Sequence, residues 1–276
     1  MKIKVLIAGA LLCAGLGGPA LAAPRVVASI APVHSIAAQI MEGIATPELL
    51  LEATASPHHF ALKPSQAAAL ARADLIVMVG PRLEEGLMRA VEDKADTLLV
   101  LAPDPAGNPH IWLDPRAGVR IGKQIAERLS QIDPDNAARY RANEAAATVR
   151  LLTLYAVLRE ELSAYQGVQF VVVHDAYSAF ERAMGLAHMG SLEAHEDLPP
   201  SAKRVAALRT KLKAHPGACI FAEPQFSSRR VEALAQGTGA RIGRLDPLGV
   251  DLAPGPELYE ALLRQLVVDF TACFPT

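Results

Sequence analysis

From Pro134 to Gln166 the chain carries no helix breaker, and this one stretch restricts the fold more than any other feature. Asp133 can cap free N–H groups at its start, Pro134 is tolerated at a first helical position, and Gly167 ends it. Between them, Pro134 to Tyr165 carries Ala, Arg, Glu and Leu at helix-compatible spacing. This predicts a single helix about 45 Å long at 1.5 Å per residue. A helix of that length crosses a molecule of this size, so the segments on either side must be organised around it.

Those flanking segments share one pattern, in which short β-branched runs alternate with longer Ala/Leu-rich stretches, the mark of parallel strands joined by crossover helices. Before the long helix, strands are expected at Val26–Ile30, Glu48–Leu51, Leu75–Val79 and Leu98–Leu101, with helices at His34–Met41, at Ser65–Ala73 and once more before the last strand. After it come Val168–Val173, a helix from Tyr177, Ala218–Ala222, a helix over Arg229–Gly237, Arg241–Leu245 and a closing helix over Glu257–Phe270. The 276 residues are compatible with one large domain or two lobes. The alternation on both sides selects an α/β protein of two (β/α) lobes of similar size, joined by one long rigid helix. The expected boundaries are 23–132, 133–166 for the linking helix, and 167–276. A stiff connector limits hinge motion to small rotations.

The first 22 residues read as an export signal. Lys2 and Lys4 precede an apolar run from Val5, and Ala20-Leu21-Ala22 offers small residues where a signal peptidase cuts. The competing reading, a membrane anchor, is opposed by Gly15, Gly17, Gly18 and Pro19, which cut the run short of a spanning helix. Cys13 follows Leu12, whereas lipidation needs a small side chain there. Cleavage after Ala22 removes two lysines and no acids, leaving 25 basic against 29 acidic side chains. That balance does not favour nucleic acid. In an oxidising compartment Cys219 and Cys273 can form one disulfide tying the C-terminal tail to an internal strand, with two free thiols as the alternative.

Of eight histidines, three sit where packing does not explain them. His58 lies in a loop after a strand, in Ser56-Pro57-His58-His59. His110 lies between prolines, in Asn108-Pro109-His110-Ile111-Trp112-Leu113-Asp114-Pro115, which hold the backbone extended. His174 ends the apolar run Phe170–Val173, at the carboxyl end of a strand, where open α/β sheets place ligands. Three imidazoles with one further oxygen make a tetrahedral site suited to Zn²⁺. Asp246, in Leu245-Asp246-Pro247-Leu248-Gly249, again follows a strand and is the candidate fourth ligand. Glu223 can orient a ligand histidine or pair with a basic residue at the lobe interface. Adjacent side chains do not readily face one metal, so His59 is expected to point away. The cluster Glu193-Ala194-His195-Glu196-Asp197 reads as a solvated loop.

Five segments, in this order along the chain, resemble the motifs of the ZnuA-type zinc-binding proteins, a metal-specific class of ABC-transporter solute-binding proteins. They are Ser56-Pro57-His58-His59-Phe60-Ala61-Leu62-Lys63-Pro64-Ser65, His110-Ile111-Trp112-Leu113, His174-Asp175-Ala176-Tyr177, Phe221-Ala222-Glu223-Pro224-Gln225-Phe226 and Leu245–Gly249. The resemblance implies two (β/α) lobes, a long linking helix and one metal site at the lobe interface. It implies that His58, His110 and His174 are ligands, that Asp246 matches a carboxylate of some members, and that Cys219 and Cys273 match a disulfide-forming pair. It further implies a periplasmic protein that hands Zn²⁺ to an ABC-transporter permease in the inner membrane; the chain itself is expected to be a monomer. Manganese and iron members place a carboxylate where this chain has His174, and nitrogen there favours zinc. Two departures stand out: the His- and Asp-rich loop of many zinc members is replaced by the short Ala102–Pro109, and Pro57 stands where some members have a glutamate.

A secreted zinc hydrolase is the alternative from another class, since catalytic zinc also has three protein ligands and an open position. It needs a general base, and the ligand motifs contain neither His-Glu-x-x-His nor a glutamate beside a ligand. A manganese- or iron-binding transport protein and a metal-binding surface adhesin are the remaining alternatives.

Overall fold

The computed structural model describes residues 22–59, 61–101, 107–193 and 200–275. The expected signal segment, apart from Ala22, and most of the 193–197 cluster lie outside them. Among the described residues no helix is long and apolar enough to cross a membrane.

The first lobe builds β1 (Val26–Ala28), α1 (Ala31–Ile40), β2 (Glu48–Leu49), α2 (Pro64–Arg72), β3 (Leu75–Met78), α3 (Glu85–Ala90) and β4 (Leu98–Val100). The strands form one parallel sheet in the order β2-β1-β3-β4, with Val27 opposite Glu48 and Ile76. Every residue of β1 and β3 is buried, as a parallel strand covered on both faces requires. The chain leaves β1 toward β2 on one side and reaches β3 on the other. This reversal opens a crevice beyond the carboxyl ends of the strands, where ligands of such sheets bind.

Two long helices follow, α4 (Pro115–Ile132) and α5 (Ala137–Glu161). The expected single helix over Pro134–Tyr165 is shorter: α5 spans 25 residues, about 38 Å at 1.5 Å per residue, with 3-10 turns at Pro134–Asn136 and Ser163–Tyr165. Asp133 is the reason at the front. Its Oδ2 accepts from Tyr140 Oη at 2.7 Å and Asn136 Nδ2 at 2.8 Å, so it pins the α4–α5 corner instead of capping a helix. Helix α4 is a finding the sequence pattern did not supply. Asp114 caps it by accepting from the Arg116 N–H, Pro115 starts it, and Ala117, Ile121, Ile125 and Leu129 bury one face. Gly118 and Gly122 obscure that pattern, yet packing demands the first: a Cβ on Gly118 would collide with the Tyr259 ring.

The second lobe contains β5 (Phe170–Val172), α6 (Ser178–Met184), α7 (Ala202–Ala214), β6 (Cys219–Ala222), α8 (Arg229–Ala235), β7 (Arg241–Arg244) and α9 (Leu258–Cys273). Its parallel sheet runs β5-β6-β7. Helix α7, capped by Ser201, was also not anticipated. Cys219 and Cys273 are joined as a disulfide, fastening the end of α9 to the first residue of β6.

The lobes are less separate than a connector alone implies. One continuous apolar cluster runs from Val26 and Ile36 through Trp112, Tyr140 and Leu154 to Phe221, Tyr259 and Phe270. Polar contacts reinforce it. Tyr259 Oη donates to Trp112 O at 2.6 Å, Trp112 Nε1 donates to Pro247 O at 2.8 Å, and Ser35 Oγ and Gln39 Nε2 both donate to Pro256 O.

Candidate metal centre

Each residue of the site leaves the carboxyl end of a strand or the loop beyond it. His58 follows β2, His110 follows β4, His174 follows β5, Glu223 follows β6 and Asp246 follows β7. Because both sheets are parallel and turn these ends toward each other, residues as far apart as 58 and 174 meet at the seam between the lobes.

The three imidazoles meet through the same atom. His58 Nε2 lies 3.4 Å from His110 Nε2, and His174 Nε2 lies 3.3 Å from it. The ligand atoms of all three lie within 4.8 Å of one another. Zinc–nitrogen bonds of 2.0–2.1 Å at a tetrahedral angle put neighbouring nitrogens about 3.3–3.4 Å apart. Two edges of the triad therefore have the spacing of ligands around one small cation, and the third ligand pair stays within 4.8 Å.

The outer nitrogens of His110 and His174 are held as such a site needs. Asn108 Nδ2 donates to Asp175 O at 2.7 Å, so its Oδ1 must be the atom 2.9 Å from His110 Nδ1. An amide oxygen only accepts, so His110 carries its proton on Nδ1 and turns the Nε2 lone pair inward. Glu223 Oε1 lies 2.9 Å from His174 Nδ1, a carboxylate partner favouring the same tautomer there. Two lone pairs facing each other at 3.3 Å repel unless a cation lies between them.

Apolar surfaces close the surroundings: Pro57, Trp112, Phe226, Pro247 and Leu248 line the cavity with the histidines, and the Phe226 ring packs on His174 at 5.3 Å between centroids. The cavity measures about 10 Å³, roughly what one water needs. It suits a single ion.

Asp246 is not gathered with the triad. Its Oδ1 accepts from the backbone N–H groups of Leu248 and Gly249 and from Gln225 Nε2, and its Oδ2 accepts from the Val250 N–H at 2.5 Å. The carboxylate is thus committed to its own loop. His59 lines clefts beside the triad's cavity. His34 is buried with Nε2 3.0 Å from Pro47 O, His188 faces Glu181, and His215 faces Lys211 O. His195 lies outside the described residues.

Sequence reasoning did not single out Asn108 or Gln225. Asn108 had a signal, a polar amide two residues before a histidine across a rigid proline. Gln225 had none, because its role is to link Ala53 O in the first lobe to Asp246 in the second, a contact between distant segments.

Two parallel α/β lobes around a long helix, closing on three convergent imidazoles, define a bilobal metal-binding protein of the solute-capturing kind. Residues 26–273 match the family model described as "ZnuA: Zinc-uptake complex component A periplasmic". The chain belongs to that family, whose members are transport components and not enzymes. It is 31% identical over 319 aligned positions to the high-affinity zinc uptake system protein ZnuA of Brucella abortus (strain 2308), covering 95% of this chain and 96% of the relative. Its identity to the ZnuA protein of Paracoccus denitrificans (strain Pd 1222) is 34% over 305 positions, covering 92% and 94%. A crystal structure of a ZnuA deletion mutant with zinc bound superposes with a TM-score of 0.80 at 27% identity, covering 92% of this chain and 99% of that one.

Proposed function

We propose that this protein captures Zn²⁺ in the periplasm, holds it on His58, His110 and His174 with water at the fourth position, and delivers it to the permease of an ABC transporter in the inner membrane. The observation that carries the reading is the convergence of three imidazoles, with His110 Nε2 at the spacing tetrahedral zinc requires from both of the others. A fully nitrogen protein donor set favours zinc over manganese or iron, whose sites are richer in oxygen. The named relatives, described as high-affinity zinc uptake proteins, support the same cargo.

In this reading the first lobe supplies His58 and His110 and the second supplies His174, so binding bridges the seam. The open fourth position gives the permease a route to the ion. Residues 1–22 act as a cleaved export signal, and the chain works as a monomer.

Calorimetric titration of the mature protein tests the proposal. One zinc should bind tightly at pH 7.5 and much more weakly at pH 5.5, because an imidazole nitrogen binds metal only without its proton, so protons compete with the ion for all three ligands. Binding that ignores pH, or that survives His110→Ala and His174→Ala unchanged, overturns it. Turnover of ester, peptide or phosphate substrates by zinc-loaded protein would support the hydrolase instead.

A further inference from the structure

We propose that Asn108 is the positioning residue of the metal centre, a single amide that sets the tautomer of His110 and at the same time holds the His174 turn of the opposite lobe in register. The inference rests on the triad being the metal site, and adds the element that makes two of its ligands one unit.

The geometry uses both ends of the amide. Asn108 Oδ1 accepts from the His110 backbone N–H at 2.9 Å and from His110 Nδ1–H at 2.9 Å, fixing where the ring begins and which way it turns. Asn108 Nδ2 donates to Asp175 O at 2.7 Å, in the residue directly after His174. The same turn is closed by the Ala176 N–H donating to His174 O at 2.9 Å, with Ala176 fully buried. One side chain thus touches both of the loops whose histidines bring their Nε2 atoms to 3.3 Å.

The two ends are interdependent. Asp175 O accepts from Nδ2 and the His110 backbone N–H donates to Oδ1, so both contacts oppose a flip of the amide that would place a donor against Nδ1 and force that nitrogen to become the acceptor. The proton would then move to Nε2, the atom that must face the ion.

Two substitutions divide the functions. Asn108→Asp keeps an acceptor for His110 and loses the donor to Asp175 O; Asn108→Ala loses both. The first readout is the ¹⁵N spectrum of the His110 ring in metal-free protein near pH 8, where the tautomer shows directly. The second is hydrogen exchange at the Ala176 amide, which reports the freedom of the His174 turn. The expected result is a pure Nδ1–H tautomer in wild type and Asn108→Asp, a mixture in Asn108→Ala, and Ala176 exchange faster by roughly three- to tenfold in both variants. Zinc affinity of Asn108→Ala should fall by about 10- to 100-fold. An unaltered tautomer in Asn108→Ala, or wild-type exchange at Ala176 in both variants, overturns the assignment. Asn108→Asp is nearly isosteric, so a folding defect confined to Asn108→Ala still leaves the exchange measurement decisive. Neither metal-free readout depends on which ion is the cargo, so this inference and the zinc reading fail separately.

Discussion

At the scale of single residues, the difference between a ligand and a structural group is set by what already occupies its polar atoms. Asp246 and Glu223 both follow strands of the second sheet, yet Asp246 spends its oxygens on three backbone N–H groups and Gln225, while Glu223 faces the far nitrogen of His174. Asp246→Asn should therefore leave zinc stoichiometry at one and affinity nearly unchanged, while lowering stability by about 1–2 kcal/mol as an amide N–H₂ replaces an acceptor. Denaturant melts beside a zinc titration check this. His188 makes a second residue-scale prediction. Burial works against its charged form, but the Glu181 carboxylate 2.8 Å from Nδ1, aided by the Asp175 charge and only partly offset by Lys211, raises its pKa above the ordinary 6.5. A value raised on folding gives stability that is complete below about pH 6.5 and is lost as pH rises through the folded value. The stability gap between wild type and His188→Gln should be about 2 kcal/mol at pH 6 and shrink steadily above pH 7; a gap that widens with pH would contradict the pairing.

Elements were legible where local pattern and tertiary need agree. The central strands β1, β3 and β5 lie within a residue or two of their predicted limits because parallel strands buried on both faces are short apolar runs bounded by turns. Helix α4 was hidden because two glycines lower its apparent propensity, and Gly118 is there for a ring that arrives 141 positions later, Tyr259. Gly118→Ala, which raises intrinsic helix propensity, should thus destabilise the protein by about 1–3 kcal/mol through overpacking. Thermal unfolding decides, and a raised melting temperature would refute the packing argument. The long helix was found but overextended, since Asp133 serves Tyr140 and Asn136 instead of a helix end.

Across the whole molecule, the shared core and the hydrogen bonds around Tyr259 and Trp112 hold the lobes together on the far side of the long connector's reach. None of these contacts uses a metal-ligand side chain, so they hold the lobes together independently of the ion. Tyr259→Phe removes the bond to Trp112 O and should cost metal-free protein about 1 kcal/mol while leaving an apolar ring in place. Small-angle scattering of that variant without zinc should show slightly wider lobes that zinc restores; a profile unchanged by the substitution would place the closure elsewhere. What the amino-acid order determined unaided was the alternation of strand and helix, the two halves, and the identity of the three imidazoles, because each is written in neighbouring residues or in motifs a few positions long. Only the folded chain decided that His58, His110 and His174 share one point, that Asp246 turns to its own loop, and that Asn108 spans two lobes. Those outcomes depend on which distant segments come within bonding distance, and hydrogen-bond geometry over three ångströms is not encoded in any local window.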